Sequence, residues 1–106
     1  MSSVLLFKGA LNEKATNHII VICAYNEEEN LRRLLRSIDN RRAVLVDDGS
    51  TDLTSVVARS MGFTVLEHSH RLGKTTALRD GLDFAREKQI PITVVLDADA
   101  LPEPDA

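Results

Sequence analysis

Two rhythms of apolar residues alternate along this chain from His18 onward. Ile19-Ile20-Val21-Ile22-Cys23 is a continuous β-branched run, the pattern of a strand buried on both faces. Asn26 follows as a candidate helix cap, with Glu29 completing a capping-box-like pair. Leu31, Leu34, Leu35 and Ile38 then recur at i, i+3, i+4 and i+7, one face of a helix. Ala43-Val44-Leu45-Val46 reads as a second strand. A second helix is predicted over about 52–61, with Leu53, Val56, Val57 and Met61 inward and Gly62 as its stop. Phe63-Thr64-Val65-Leu66 is a third strand, and the polar stretch 67–72 leads to a third helix over about 74–88. The inner stripe of that helix is Ala77, Leu78, Gly81, Leu82 and Ala85. Ile92-Thr93-Val94-Val95-Leu96 is a fourth strand, and Pro102 and Pro104 make the tail extended.

Strands alternating with helices through short loops predict an α/β class, a Rossmann-like three-layer αβα sandwich with a mostly parallel sheet. Residues 1–17 form an N-terminal arm in this reading, and 18–106 form the domain. At 106 residues one modest core is available and two are not. Thirteen basic against 16 acidic side chains, net −3, exert no general pull on nucleic acid. The absence of Trp argues against a base-stacking surface for single strands. Cys23 is the one cysteine, so no internal disulfide or Cys-rich zinc cage can form, which suits a reducing compartment. Apolar runs of about five residues fall far short of the roughly 20 that a membrane helix needs. Val4-Leu5-Leu6-Phe7 is too brief for a signal-peptide core. The expectation is a soluble, cytoplasmic chain.

In open parallel sheets, ligands bind beyond the carboxyl ends of the strands. Three strands end there in polar clusters: Tyr25-Asn26-Glu27, Asp47-Asp48-Gly49-Ser50 and Asp97-Ala98-Asp99. Carboxylates crowded on one rim repel unless a cation or hydrogen-bond donors balance them. A divalent metal with hard oxygen ligands, Mg2+ or Mn2+, is the simplest such cation. Taken singly, each cluster also reads as a helix cap or a turn former, Asp48-Gly49 most of all.

These clusters resemble the signatures of family 2 glycosyltransferases. The stretch from Val21 to Glu28, followed by Asn30-Leu31, is similar to that family's opening strand and loop. Val46 to Asp52 is similar to its second signature, and Gly73-Lys74 through Gly81-Leu82 to its third. Leu96-Asp97-Ala98-Asp99 resembles its DxD motif. The resemblance covers about 19–104 and implies half of a GT-A domain, with a nucleotide-diphosphate sugar as donor and UDP as the default nucleotide. It implies that Ala24, Tyr25 and Glu27 line the nucleoside pocket and that Asp48 accepts a hydrogen bond from the base. Lys74 would approach the diphosphate, Asp97 the ribose and Asp99 the metal. Transfer would invert the anomeric centre, with a general base near the acceptor hydroxyl. The family carries that base and the acceptor site after DxD, so the resemblance assigns no catalytic residue to this chain. The chain is expected to bind nucleotide weakly and to transfer no sugar by itself.

The half-domain reading implies a strand order of 3-2-1-4, with the outer edge of the fourth strand open. An open edge invites pairing, so a homodimer through it is expected. Many relatives act on lipid-linked acceptors, which would bring the chain to the cytoplasmic face of a membrane. Cys23 stands where many members carry proline. Two rival readings remain. Gly73-Lys74-Thr75 resembles the end of a Walker A motif, but that P-loop pattern needs glycine where His68 stands. A non-enzymatic α/β interaction module would bind metal with no nucleotide preference. Arg32, Arg33, Arg36, Arg41 and Arg42 read as a solvated face, Arg79 and Asp80 as surface, and His68 and His70 as parts of a polar loop facing the donor pocket.

Overall fold

The β-branched run after Asn17 forms the central strand, β2 (His18–Ala24), buried at every position except the half-buried Cys23. The computed structural model of the chain describes residues 3–6 and 17–98. Within them, β1 (Ser3–Leu6), β3 (Ala43–Asp47), β4 (Thr64–Glu67) and β5 (Ile92–Asp97) join β2 in one five-stranded sheet, ordered β1-β5-β2-β3-β4. All four pairings are parallel. Ile20 lies beside Ala43 and Val94, and Cys23 beside Val46 and Asp97. A parallel sheet needs cover on both faces, and three helices supply it: α1 (Glu28–Leu35), α2 (Thr54–Ser60) and α3 (Lys74–Glu87).

Alternation along β2 sorts its side chains between two cores. Ile20, Ile22 and Ala24 pack with Leu31, Leu34 and Leu35 of α1 and Val57 and Ala58 of α2. Ile19 and Val21 face the other way, with Val44, Val46 and Ala77 and Ala85 of α3. Each fully buried Ile, Leu or Val, such as Ile20, Ile22, Leu31 and Leu45, contributes about 1.5–3 kcal/mol of transfer free energy. α3 lies close on the sheet because Gly81 is small: a Cβ there would stand 2.3 Å from Val21 Cγ1.

The Rossmann-like αβα class and the 3-2-1-4 order are both found, as β4-β3-β2-β5. The edge is different. β1 pairs with β5 from Ser3↔Ile92 to Leu6↔Val95, so the edge expected to be open is occupied. The homodimer expectation rested on that open edge and loses its basis.

The inner stripe of α2 is also corrected. Leu53 and Val56 are 53% and 55% exposed, while Thr54, Ser55, Val57 and Ala58 are buried. The helix begins at Thr54 rather than near Asp52, and its inward row is Thr54, Val57, Ala58 and Met61. Thr54 takes an interior place because its hydroxyl is satisfied there, donating to Asp52 and accepting from the Glu27 N–H. Asn26 does not cap α1. It sits at φ +52° and turns to the neighbouring loop. Among the described residues no helix is long and apolar enough to cross a membrane.

Candidate functional site

The carboxyl ends of β2, β3 and β5 and the start of α3 surround a cavity of about 300 Å³. Ala24, Tyr25, Glu27, Asp48, Lys74 and Asp97 all line it, so every described residue singled out from the sequence is brought to one place. Asp99 lies outside the described residues.

The two adjacent aspartates after β3 do different work. Asp47, fully buried, closes the turn by accepting the Ser50 N–H at 2.9 Å. Asp48 faces the segment before α3. Its Oδ1 accepts the Leu72 N–H at 2.8 Å and lies 2.9 Å from His68 Nδ1, while Oδ2 accepts the Gly73 N–H at 3.0 Å. Burial opposes the charge on Asp48, but these hydrogen bonds outweigh it and hold the carboxyl below its usual range. Gly49 lets the two loops meet: at φ +77°, a Cβ would lie 2.3 Å from the His70 carbonyl carbon and 2.5 Å from the Arg71 nitrogen.

Around the cavity, charge alternates. The Arg71 guanidinium lies over the Tyr25 ring, 4.1 Å from its centroid. Lys74 Nζ is 3.1 Å from Asp97 Oδ2. Cys23 also lines the cavity, and burial, with the Asp97 charge beside it, pushes its thiol up to about 11. It is therefore a protonated, weakly nucleophilic wall.

The loops behind the rim are tied together. Asn26 donates its N–H to Ser50 Oγ at 2.8 Å and accepts the Thr51 N–H on Oδ1 at 2.8 Å. Glu28 accepts the Leu53 N–H at 3.2 Å, and Asp52 accepts the Glu28 N–H at 3.3 Å and the Thr54 N–H at 2.9 Å. The N-termini of α1 and α2 thus cap each other, satisfying donors that a helix start leaves unpaired.

Regarding a divalent cation, the described residues contain no group of three or more His, Cys, Asp or Glu side chains able to hold one. Asp97 is at the rim but faces Lys74. The described donor set alone does not make a metal centre.

A model of glycosyl transferase family 2 matches residues 19–106. The chain belongs to this family. The 4,4'-diaponeurosporenoate glycosyltransferase of Staphylococcus aureus is 36% identical over 97 residues, covering 83% of this chain and 24% of that protein. The dodecaprenyl-phosphate galacturonate synthase of Rhizobium johnstonii is 29% identical over 99 residues, covering 80% of this chain and 28% of that protein. Among solved structures, the Pyrobaculum calidifontis mannosyltransferase, in complex with GDP-Man and Mn2+, superposes with a TM-score of 0.68 at 28% identity. That match covers 85% of this chain and 30% of the other. Against such family 2 relatives the chain is short: it spans 24–36% of the length of these two curated proteins and of an uncharacterised Methanocaldococcus jannaschii protein.

Three residues of the site were not singled out from the sequence as site residues. Arg71 and His68 lay in a stretch read as polar loop, and Asp80 was read as surface, yet its Oδ2 is 2.7 Å from His68 Nε2. The available signal was Asp48 itself: a carboxylate buried at a strand end requires donors, and the segment before α3 is where they could come from.

Proposed function

We propose that residues 18–106 act as the donor-binding part of a family 2 glycosyltransferase, holding a nucleotide-diphosphate sugar for inverting transfer. The observation that carries this reading is the convergence of Ala24, Tyr25, Glu27, Asp48, Lys74 and Asp97, from separate family motifs, on one cavity. Ala24, Tyr25 and Glu27 serve the nucleoside, Asp48 accepts a hydrogen bond from the base, and Asp97 takes the ribose. Lys74 meets the diphosphate, whose negative charge grows as it departs. Lys74 can leave Asp97 at little cost, because its side chain is 74% exposed and the pair is worth about 1 kcal/mol or less.

Asp99 is the proposed ligand for Mg2+ or Mn2+, an assignment supported by the Mn2+ of the Pyrobaculum mannosyltransferase complex. When bound, such a cation supplies Lewis-acid stabilisation of the leaving diphosphate. The general base and acceptor site belong, in this reading, to the part of the relatives' length that this chain does not span. The acceptor in this reading is lipid-linked and met at the cytoplasmic face of a membrane; the lipid-linked part has the support of the Rhizobium relative, a dodecaprenyl-phosphate galacturonate synthase.

Calorimetric titration with UDP, GDP and dTDP, each with and without Mn2+, tests the proposal. Metal-dependent binding of at least one nucleotide is expected, weakened about tenfold or more in Lys74→Ala and losing its metal dependence in Asp99→Ala. Metal binding without nucleotide preference would favour an interaction module instead, and binding of none would overturn the donor reading.

A further inference from the structure

The Asp48–His68–Asp80 chain is a cluster of titratable groups in which the donor reading uses only Asp48, leaving His68 and Asp80 without a role. His68 Nδ1 lies 2.9 Å from Asp48 Oδ1 and Nε2 lies 2.7 Å from Asp80 Oδ2, with the imidazole 9% exposed. A neutral imidazole donates from one nitrogen and accepts at the other, whereas an ionised carboxylate only accepts. A ring placed between two carboxylates is satisfied at both ends only as the imidazolium.

We propose that His68 and Asp80 are positioning residues of the donor pocket, and that the imidazolium clasped between Asp48 and Asp80 fixes both the Asp48 carboxylate and residues 68–73. This rests on the donor reading above. Asp48 offers about four lone pairs. His68, Leu72 and Gly73 use three of them, which leaves one on Oδ2 for the N–H of a base. The segment so held carries Arg71 over Tyr25 and ends at Lys74. When the ring loses its proton, a nitrogen lone pair faces a carboxylate oxygen at one end. The relief is rotation of Asp48 or withdrawal of the segment, and either one disturbs the pocket.

The charged groups bearing on the ring come from both elements packed against it: Asp48 after β3 and Asp80 on α3. Arg71 stands beyond Asp48, with Nε 4.0 Å from Oδ2, and Glu67 is paired with Arg59 at 2.9 Å. The hydrogen bond to Asp48, reinforced by that to Asp80, raises the imidazole above its ordinary range against the effect of burial.

The test combines ring-nitrogen NMR of His68, hydrogen exchange of the Leu72 and Gly73 amides, and calorimetry with UDP–Mn2+ and GDP–Mn2+. It runs from about pH 6 to about pH 9 on the wild-type chain, Asp80→Asn and His68→Gln. In the wild type the ring should lose its second proton at a higher pH than a free imidazole, with both amides protected while it is charged. In Asp80→Asn the ring should titrate at lower pH, and nucleotide affinity should match wild type near pH 6 but fall about tenfold near pH 8. His68→Gln should bind weakly at every pH, without the pH dependence. A purely structural role would lower affinity in Asp80→Asn equally at all pH values, and that result, or a wild-type ring that titrates no higher than a free imidazole, overturns the proposal. If the wild type binds no nucleotide at any pH, the donor reading fails alone. The clasp is then decided by whether Leu72 and Gly73 exchange follows the charge on the ring, and exchange that ignores it overturns the clasp too.

Discussion

Gly49 stands where the loop after β3 touches the backbone of His70 and Arg71, in a left-handed conformation that costs a residue with a Cβ about 1–2 kcal/mol before any contact is counted. Both opposing atoms are main chain, so they cannot turn aside. Gly49→Ala should lower the thermal midpoint by more than about 4 °C and should expose the Leu72 and Gly73 amides to exchange; calorimetric melting together with exchange measurements checks both. The same four residues show what a motif does and does not convey. Asp47-Asp48-Gly49-Ser50 could be read as a turn or as a site, and it is both: Asp47 holds Ser50 in the turn while Asp48 points to the cavity. Spacing places both carboxylates at a strand end. Which one turns inward depends on donors 24 and 25 residues away (Leu72 N–H and Gly73 N–H), and those are invisible until the chain folds.

The strands and helices were found close to their predicted bounds because a buried parallel sheet writes itself as apolar runs. The helix starts were less readable. α1 and α2 are capped across the loops as well as locally, Glu28 on Leu53 and Asp52 on Glu28, whereas a capping rule looks only a few residues along the same helix. The face of α2 was misread for a related reason. Counting apolar positions gives no weight to Thr54, which is buried because its hydroxyl has partners on two sides. Reciprocal capping predicts coupling. Asp52→Ala should cost about 1 kcal/mol in chemical denaturation, and the Glu28→Ala, Asp52→Ala pair should cost less than the sum of the singles by about 0.5 kcal/mol or more. Simple additivity would mean that the two helix ends are held independently.

Across the whole molecule, the perturbed acids and the perturbed histidine bound the stability from opposite sides of pH. Asp48 and Asp52 titrate below their ordinary 3.8, so their contribution is full above that value and is lost as pH falls through the lowered folded values. His68 titrates above its ordinary 6.5, so its contribution is full below that value and is lost as pH rises through the raised one. Melting temperature plotted against pH should therefore show a plateau between these two ordinary values; His68→Gln should flatten the alkaline side and also weaken the acid side, because the His68 hydrogen bond helps hold Asp48 low. The layer order and the 3-2-1-4 core of the sheet followed from alternation and from the family signatures, but β1 did not, since a four-residue strand carries too little pattern to be told from a loose arm. That strand has a consequence in time. It pairs Ser3–Leu6 with Ile92–Val95 of β5, far along the chain, while β2 and β5 are themselves separated by three α-helices. Pairings so distant in sequence close slowly, and β1 cannot dock until β5 has taken its place beside β2. During synthesis β1 emerges before β5 yet docks after it, and until it docks β5 presents a bare apolar edge to any other chain. The hazard for this molecule is therefore concentrated in the interval of folding between those two events.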